Sequence, residues 1–203
     1  QDLQSSVGMR SKMEEIGQKV IRDHMPAQHC EFFQNLNTLY VGYVDENAQP
    51  WANILYKKSQ LISVPDHTRL HIKLNELTLD IKGKQQIQLG DKIGLLGLDL
   101  SNKRRNRLST KVAGISDSLI ELSVRQSFGN CPKYINTREM LNWPSDVPQS
   151  SDTKTSKAVA FNQFDLPTTQ LIKHSDTFFV ASYYQKAIRE GDISGIIEIK
   201  QWE

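Results

Sequence analysis

The sequence predicts a mainly β fold with helical flanks, an α+β chain organised as a small antiparallel barrel. Three observations lead there. Short runs rich in β-branched and aromatic residues recur between turn-forming clusters at even spacing through the middle of the 203 residues. Helical periodicity is confined to the flanks of this run. In its middle lies IGLLGLDLSNKRRNR, Ile93 to Arg107, an apolar segment relieved by Gly94 and Gly97 that ends in Lys103, Arg104, Arg105 and Arg107. A glycine-bearing apolar run reads as a core strand whose backbone something else approaches closely.

Taken in order, residues 1–8 form a tail, and Met9 to Ile21 places Met9, Met13, Ile16, Val20 and Ile21 at helical spacing. Pro26 begins a second short helix at the favoured first-turn position, with Phe32, Phe33 and Leu36 as its buried stripe. His24 and His29 flank the break, where capping or exposure is expected before metal ligation. Thr38 to Val44 and the WANILYKK segment form a hairpin about the turn chemistry of DENAQP. Gln60 to Val64 and Arg69 to Lys73 are two further strands, and Leu74 to Ile81 fits a strand or a helical turn. Leu108 to Ile115 and Leu119 to Gln126 pair about Ser-Asp-Ser, with KRRNR as the loop before them. SFGNCPKYINTREM makes a tight turn and then a short helical stretch. Trp143 to Thr155 has linker composition.

The start of the barrel then recurs. Phe32, Phe33, Asn37, Thr38, Leu39, Tyr40 and Val41 match Leu171, Ile172, Asp176, Thr177, Phe178, Phe179 and Val180 at a constant offset of 139. The second copy stops short, with no counterpart of the Pro50–Trp51 strand and at best one more strand in ISGIIEI. The expected organisation is a barrel domain over 1–140, a linker over 141–157, and an incomplete second repeat over 158–203.

Composition excludes several classes of function. Apolar residues make up 38% and charged residues 24%, as in globular domains. No apolar run approaches the roughly 20 residues that cross a bilayer, and the N-terminal residues carry no signal-peptide core, so a cytoplasmic protein is expected. A net charge of +2 is too balanced for wholesale nucleic-acid binding. Cys30 and Cys131 fall in no metal or disulfide spacing, and no metal site is expected. GxSxG, HExxH and Walker-type motifs are absent, and no carboxylate pair suits a hydrolase. Two places could carry chemistry. The KRRNR cluster offers guanidinium forks to a phosphate or carboxylate, or else is a solvated turn. SFGNCPKY holds Asn130, Cys131 and Lys133 at a bend, where they suit a ligand with carbonyl or phosphate oxygens, and Cys131 by itself reads as a small packed residue before a nucleophile.

Together PWANIL, LLGLDLSNKRRNR and QSFGNCPKYI resemble the pyridoxamine 5'-phosphate oxidase-like family, and more narrowly its flavin-nucleotide-binding branch. The resemblance covers roughly Met13 to Met140, with a second family-like start at Ile172 to Tyr184. It implies an FMN-binding split β-barrel that dimerises and holds FMN in a cleft between subunits. It further implies an oxidoreductase acting on a small-molecule substrate, with a nicotinamide nucleotide or a reductase as electron donor. By position, Trp51, Ala52, Asn53 and Ile54 would line the flavin ring. Arg104, Arg105 and Arg107 would hold its phosphate or a substrate anion, and Asn130, Cys131 and Lys133 would stand at the cleft mouth. Two other readings stay open: a flavin carrier without turnover, and a barrel whose KRRNR loop contacts nucleic-acid phosphates.

Overall fold

The computed structural model describes residues 20–75, 87–129, 135–139, 162–187 and 193–202. The expected helix over Met9–Ile21 (all but its last two residues), the segment 76–86, Asn130, Cys131, Lys133 and the linker lie outside the described residues. Among the described residues, two helices and nine strands follow in chain order. They are α1 (Ala27–Gln34), β1 (Thr38–Val44), β2 (Pro50–Tyr56), β3 (Ile62–Asp66), β4 (Arg69–Lys73), β5 (Lys92–Asp99), β6 (Arg104–Ile115), β7 (Leu119–Gly129), α2 (Leu166–His174), β8 (Phe178–Ala187) and β9 (Ile193–Trp202). Strands β1 to β7 form one antiparallel sheet in the order β2-β1-β5-β6-β7-β4-β3, and β8 pairs with β9 as a separate hairpin. Among the described residues, no helix is long and apolar enough to cross a membrane.

The β1–β2 hairpin forms where turn chemistry demands it. Asp45 Oδ1 accepts the backbone N–H groups of Asn47 and Gln49 at 2.9 and 2.8 Å, and Ala48 takes φ of 59°. The opposite carboxylate oxygen accepts the Trp51 indole N–H at 2.9 Å, and these bonds hold the Asp45 carboxyl below its usual range.

Helix α1 has no side-chain cap and is held by burial. His29, Phe32 and Phe33, spaced i, i+3 and i+4, face the concave side of the sheet, where Phe33 is fully buried and Phe32 nearly so. A single core cluster joins α1 to inward residues of β1 to β7, including Leu55 near one edge and Ile62 at the other. The sheet therefore curls around α1. The mainly β fold with helical flanks is as expected, and the sheet stays open: β2 and β3 are its two ends, and no pairing joins them among the described residues. The helix closes the gap, and Gln34 Nε2 donates to Val64 O at 3.4 Å. Gly97 shows why the run over Ile93–Leu100 needs a glycine. A Cβ there would lie 2.7 to 2.8 Å from Phe32, Leu36 and Phe33.

Two expectations are corrected. KRRNR is not a loop, because side-chain bonds complete the turn earlier. Asp99 Oδ1 accepts from Ser101 N and Oγ, Asp99 Oδ2 from Asn102 Nδ2, and Asn102 Oδ1 from Arg104 N. Strand β6 thus begins at Arg104. Residues 135–139 form no helix; Arg138 N bonds Leu100 O at 3.1 Å, tying the segment beside the end of β5.

Helix α2 begins at Leu166, the offset-139 counterpart of Ala27, and leads into β8 as α1 leads into β1. Asp165 caps α2 by accepting Thr168 N at 2.8 Å. The one further strand expected in ISGIIEI is β9, which runs on to Trp202 and pairs with β8 over ten residues. The hairpin lies across the convex face of the large sheet. Strand β9 rests mainly on β5 and β1, β8 rests on β2 and β1, and the approach to β6 is slight.

Candidate functional site

Strand alternation divides the predicted site residues between the two faces of the sheet. On β2, Trp51 and Asn53 belong to the core-facing set with Leu55, and Trp51 packs against the core. Ala52 and Ile54 face the other way. On β6, the buried set Asn106, Leu108, Thr110 and Val112 points inward, so Arg105, Arg107 and Ser109 share the convex face. Arg104 parts from them. Its guanidinium lies 5.1 Å from the Phe32 ring centroid, and its Nη2 donates to Gln28 O at 3.4 Å. The structure therefore puts Ala52, Ile54, Arg105 and Arg107 on one face, with β1 and β5 between the two pairs, and leaves Trp51, Asn53 and Arg104 on the helix side.

The register arranges the convex face in rows. Ile54, Tyr40, Leu96, Arg107 and Phe128 stand opposite one another across β2, β1, β5, β6 and β7. The parallel row is Ala52, Gly42, Gly94, Ser109 and Gln126. Neighbouring strands lie about 4.8 Å apart, so each row spans about 19 Å. The first row offers apolar walls around a guanidinium. The second is built from small residues at its centre, Gly42 and Gly94, which are buried where the β8–β9 hairpin rests on β1 and β5. Leu98, opposite Arg105, is buried, whereas Arg105, Arg107, Ser109, Gln126 and Phe128 are half-exposed where the hairpin thins out.

Sequence reasoning missed Tyr40, Ser109, Gln126 and Phe128. The signal was present in Arg105-Asn106-Arg107-Leu108-Ser109, whose period of two marks a strand face once KRRNR is not assigned to a loop. Tyr40 is tied to the second repeat, its ring stacking on Phe179 at 3.9 Å between centroids and 24° between planes. Burial pushes its phenol pKa up.

The helix side holds a second polar group. His29, expected at a cap or in solvent, is buried, and its Nδ1 lies 2.7 Å from Ser127 Oγ. Ser127 is itself fully buried and exchanges backbone bonds of 3.0 and 2.7 Å with Arg22. Burial pushes the His29 imidazole below its ordinary value of 6.5, and the charges of Arg22 and Arg104 push the same way. The folded protein therefore binds fewer protons here than the unfolded chain. Its stability holds above pH 6.5 and declines as pH falls from there toward the lowered value. A thermal melt at pH 5.5 is expected to fall below that at pH 7.5, and the His29→Gln variant is expected to lose part of that difference. An unchanged difference would remove His29 as its source.

Cys30 Sγ sits 3.7 Å from His67 Nδ1, but that nitrogen lies 2.6 Å from Met25 O, to which it donates. Burial raises the Cys30 thiol pKa, so the pair is no activated nucleophile.

No protein-family model matches the chain, and no curated protein matches it. Among solved structures, the chain is similar to HupZ of Group A Streptococcus, solved by crystallography at 1.70 Å, with 15% identity and a TM-score of 0.41 over 57% of this chain and 100% of HupZ.

Proposed function

We propose that this chain is an FMN-binding flavoprotein of the split-barrel type, an oxidoreductase that passes hydride or electrons through FMN to a small substrate. One observation carries the reading: Arg105, Arg107 and Ser109 project from alternate positions of β6 onto the same face as the small-residue row Ala52, Gly42 and Gly94. The donor set suits the cofactor. A dianionic phosphate calls for charge-assisted donors, and two guanidinium groups beside a hydroxyl provide them. A flat ring calls for apolar walls, and Phe128, beside Arg107 at the margin of the hairpin, offers one. FMN when bound supplies the redox chemistry, so the chain needs no nucleophile of its own. Its residues hold the phosphate, keep water from the ring and admit the substrate.

A titration of the purified protein with FMN, followed by flavin fluorescence, tests this. Saturable quenching that inorganic phosphate competes away is the expected result, and bleaching of the complex by a reduced nicotinamide nucleotide separates enzyme from carrier. Fluorescence that stays at the level of free FMN overturns the reading.

A further inference from the structure

The hairpin of the second unit covers ground that the candidate site needs. It rests on β1, β2 and β5, over the row that holds Gly42 and Gly94. In the adjoining row Phe179 lies on Tyr40 with centroids 3.9 Å and planes 24° apart, the stacked contact that a flat aromatic ligand would itself make there. Its seat is shallow. Phe179, Ala181 and Tyr183 turn toward the sheet but stay partly exposed, Val180 and Ser182 turn away, and no described side chain of the hairpin joins the core cluster. Helix α1 is the contrast, with Phe33 fully buried in that cluster. Among the described residues the hairpin is a sheet of its own, and no backbone hydrogen bond ties it to the large sheet. A polar tie runs through Arg138. Its backbone N–H donates to Leu100 O just past β5, and its guanidinium reaches the start of β8, with Nη1 2.8 Å from Asp176 Oδ2 and Nη2 3.4 Å from Thr177 Oγ1.

We propose that the β8–β9 hairpin is a lid, latched by the Arg138–Asp176 ion pair and by Phe179 on Tyr40, that lifts to admit a flat aromatic ligand to the ground Phe179 holds. Elements with few buried apolar contacts open at a fraction of the global unfolding free energy, and the hairpin is such an element. Its own ladder, Phe178–Ala187 against Ile193–Trp202, lets it move as one unit. The seven-stranded sheet beneath keeps its core, because α1 fills the other face. The latch suits reversible closure. Arg138 is 40% and Asp176 72% exposed, and an ion pair so wet adds little and yields to salt. With the lid down, Gly42 and Gly94 are covered, while Arg105, Arg107 and Phe128 stay partly exposed at its margin. An anionic group thus docks on the guanidinium groups first, and the ring attached to it then displaces Phe179 from Tyr40. Arg107 stands two strands, about 10 Å, from Tyr40, a span for the chain that joins the phosphate of FMN to its ring. That the ligand is FMN rests on the function proposed above; the lid does not.

Acetylation of tyrosines by N-acetylimidazole, located by mass spectrometry, reads the lid without any ligand. Lifting exposes Tyr40, whereas Tyr43, 2% exposed in the core, reports global unfolding. Tyr40 is expected to label well before Tyr43, and about two- to fivefold faster in Asp176→Asn, the range of one exposed ion pair. Arg138→Gln should give the same factor and the double variant no more, as for one shared bond. Added salt should speed labelling of the wild type and leave Asp176→Asn nearly unchanged. Labelling of Tyr40 that neither substitution changes, or that rises only together with Tyr43, overturns the lid. Stopped-flow FMN binding then reads the gate. The expected rate levels off with rising FMN, at a ceiling raised by the same factor in Asp176→Asn. A rate that climbs linearly and ignores Asp176→Asn overturns the gate while the flavin reading stands. FMN that never binds, with Tyr40 labelling as expected, overturns the flavin reading and supports the lid.

Discussion

Gly97→Val is expected to cost the fold more than any other single substitution in the glycine-bearing strand. Any Cβ at this position meets the ring carbons of Phe32 and Phe33 and a methyl of Leu36 at 2.7 to 2.8 Å, well inside contact distance. All three belong to the helix-side packing that fills the curled sheet, so none can swing out to solvent. Forcing one methyl into a packed core costs about 1 to 3 kcal/mol, which is the expectation for Gly97→Ala. The two additional methyl groups of valine should exceed about 3 kcal/mol and lower the melting midpoint by at least about 6 °C. Gly114→Ala supplies the contrast. There the nearest neighbour of a new Cβ is Glu121 at 3.5 Å, an ordinary contact, and the backbone suits an L residue. That variant should melt within a degree or two of the wild type, or slightly above it, because alanine restricts the unfolded chain. Thermal unfolding by circular dichroism checks both. Equal midpoints for Gly97→Val and the wild type would mean that α1 is not seated on β5.

Much of the fold was legible because local rules agree with one another. Thr38–Val44 and Pro50–Tyr56 alternate with period two about a turn led by Asp45, and they pair as a hairpin. The stripe Phe32, Phe33 and Leu36 announced a helix with one buried side, and all three are buried. His29 shares that stripe by spacing, but a polar residue beside a proline break resembles a cap more than a core group. Its buried partner Ser127 lies 98 residues away, beyond the reach of local pattern. Closure of the sheet is a long-range matter of the same kind. Nothing within β2 or β3 states whether the two edges meet, and here α1 fills the space between them.

The geometry of the candidate site was only partly legible. The arginines of KRRNR were singled out together because a charged run hides its own alternation. The Asp99–Asn102 turn starts the strand at Arg104, and period two then sends Arg104 to Phe32 while Arg105 and Arg107 take the opposite face. Asp-Leu-Ser-Asn, with side chains suited to bonding the backbone two residues ahead, was the overlooked signal. Likewise, Trp51 and Asn53 were grouped with Ala52 and Ile54 as neighbours in sequence. Neighbours on a strand look to opposite sides. The second repeat was found by its constant offset, whereas β9 carries no proline or tryptophan at its start to mark it as the counterpart of β2.

Arg107→Ala is expected to weaken FMN binding about 10- to 100-fold, the loss that accompanies one charge-assisted bond to a phosphate. Arg105→Ala should lose affinity in the same range, and the double variant should bind too weakly to saturate. Both side chains are partly buried on the convex face, so circular dichroism spectra and melting midpoints that match the wild type are the control for a loss that belongs to binding. Arg104→Ala removes the same charge one and three residues away in sequence but on the opposite face, over Phe32. Flavin-fluorescence titrations of Arg107→Ala and Arg104→Ala, run side by side with the wild type, therefore separate position from charge. The expected result is a large loss for Arg107→Ala and a change within about twofold for Arg104→Ala, as for a distant screened charge. Equal losses from the two variants, or a larger one from Arg104→Ala, would contradict a cofactor held on the convex face.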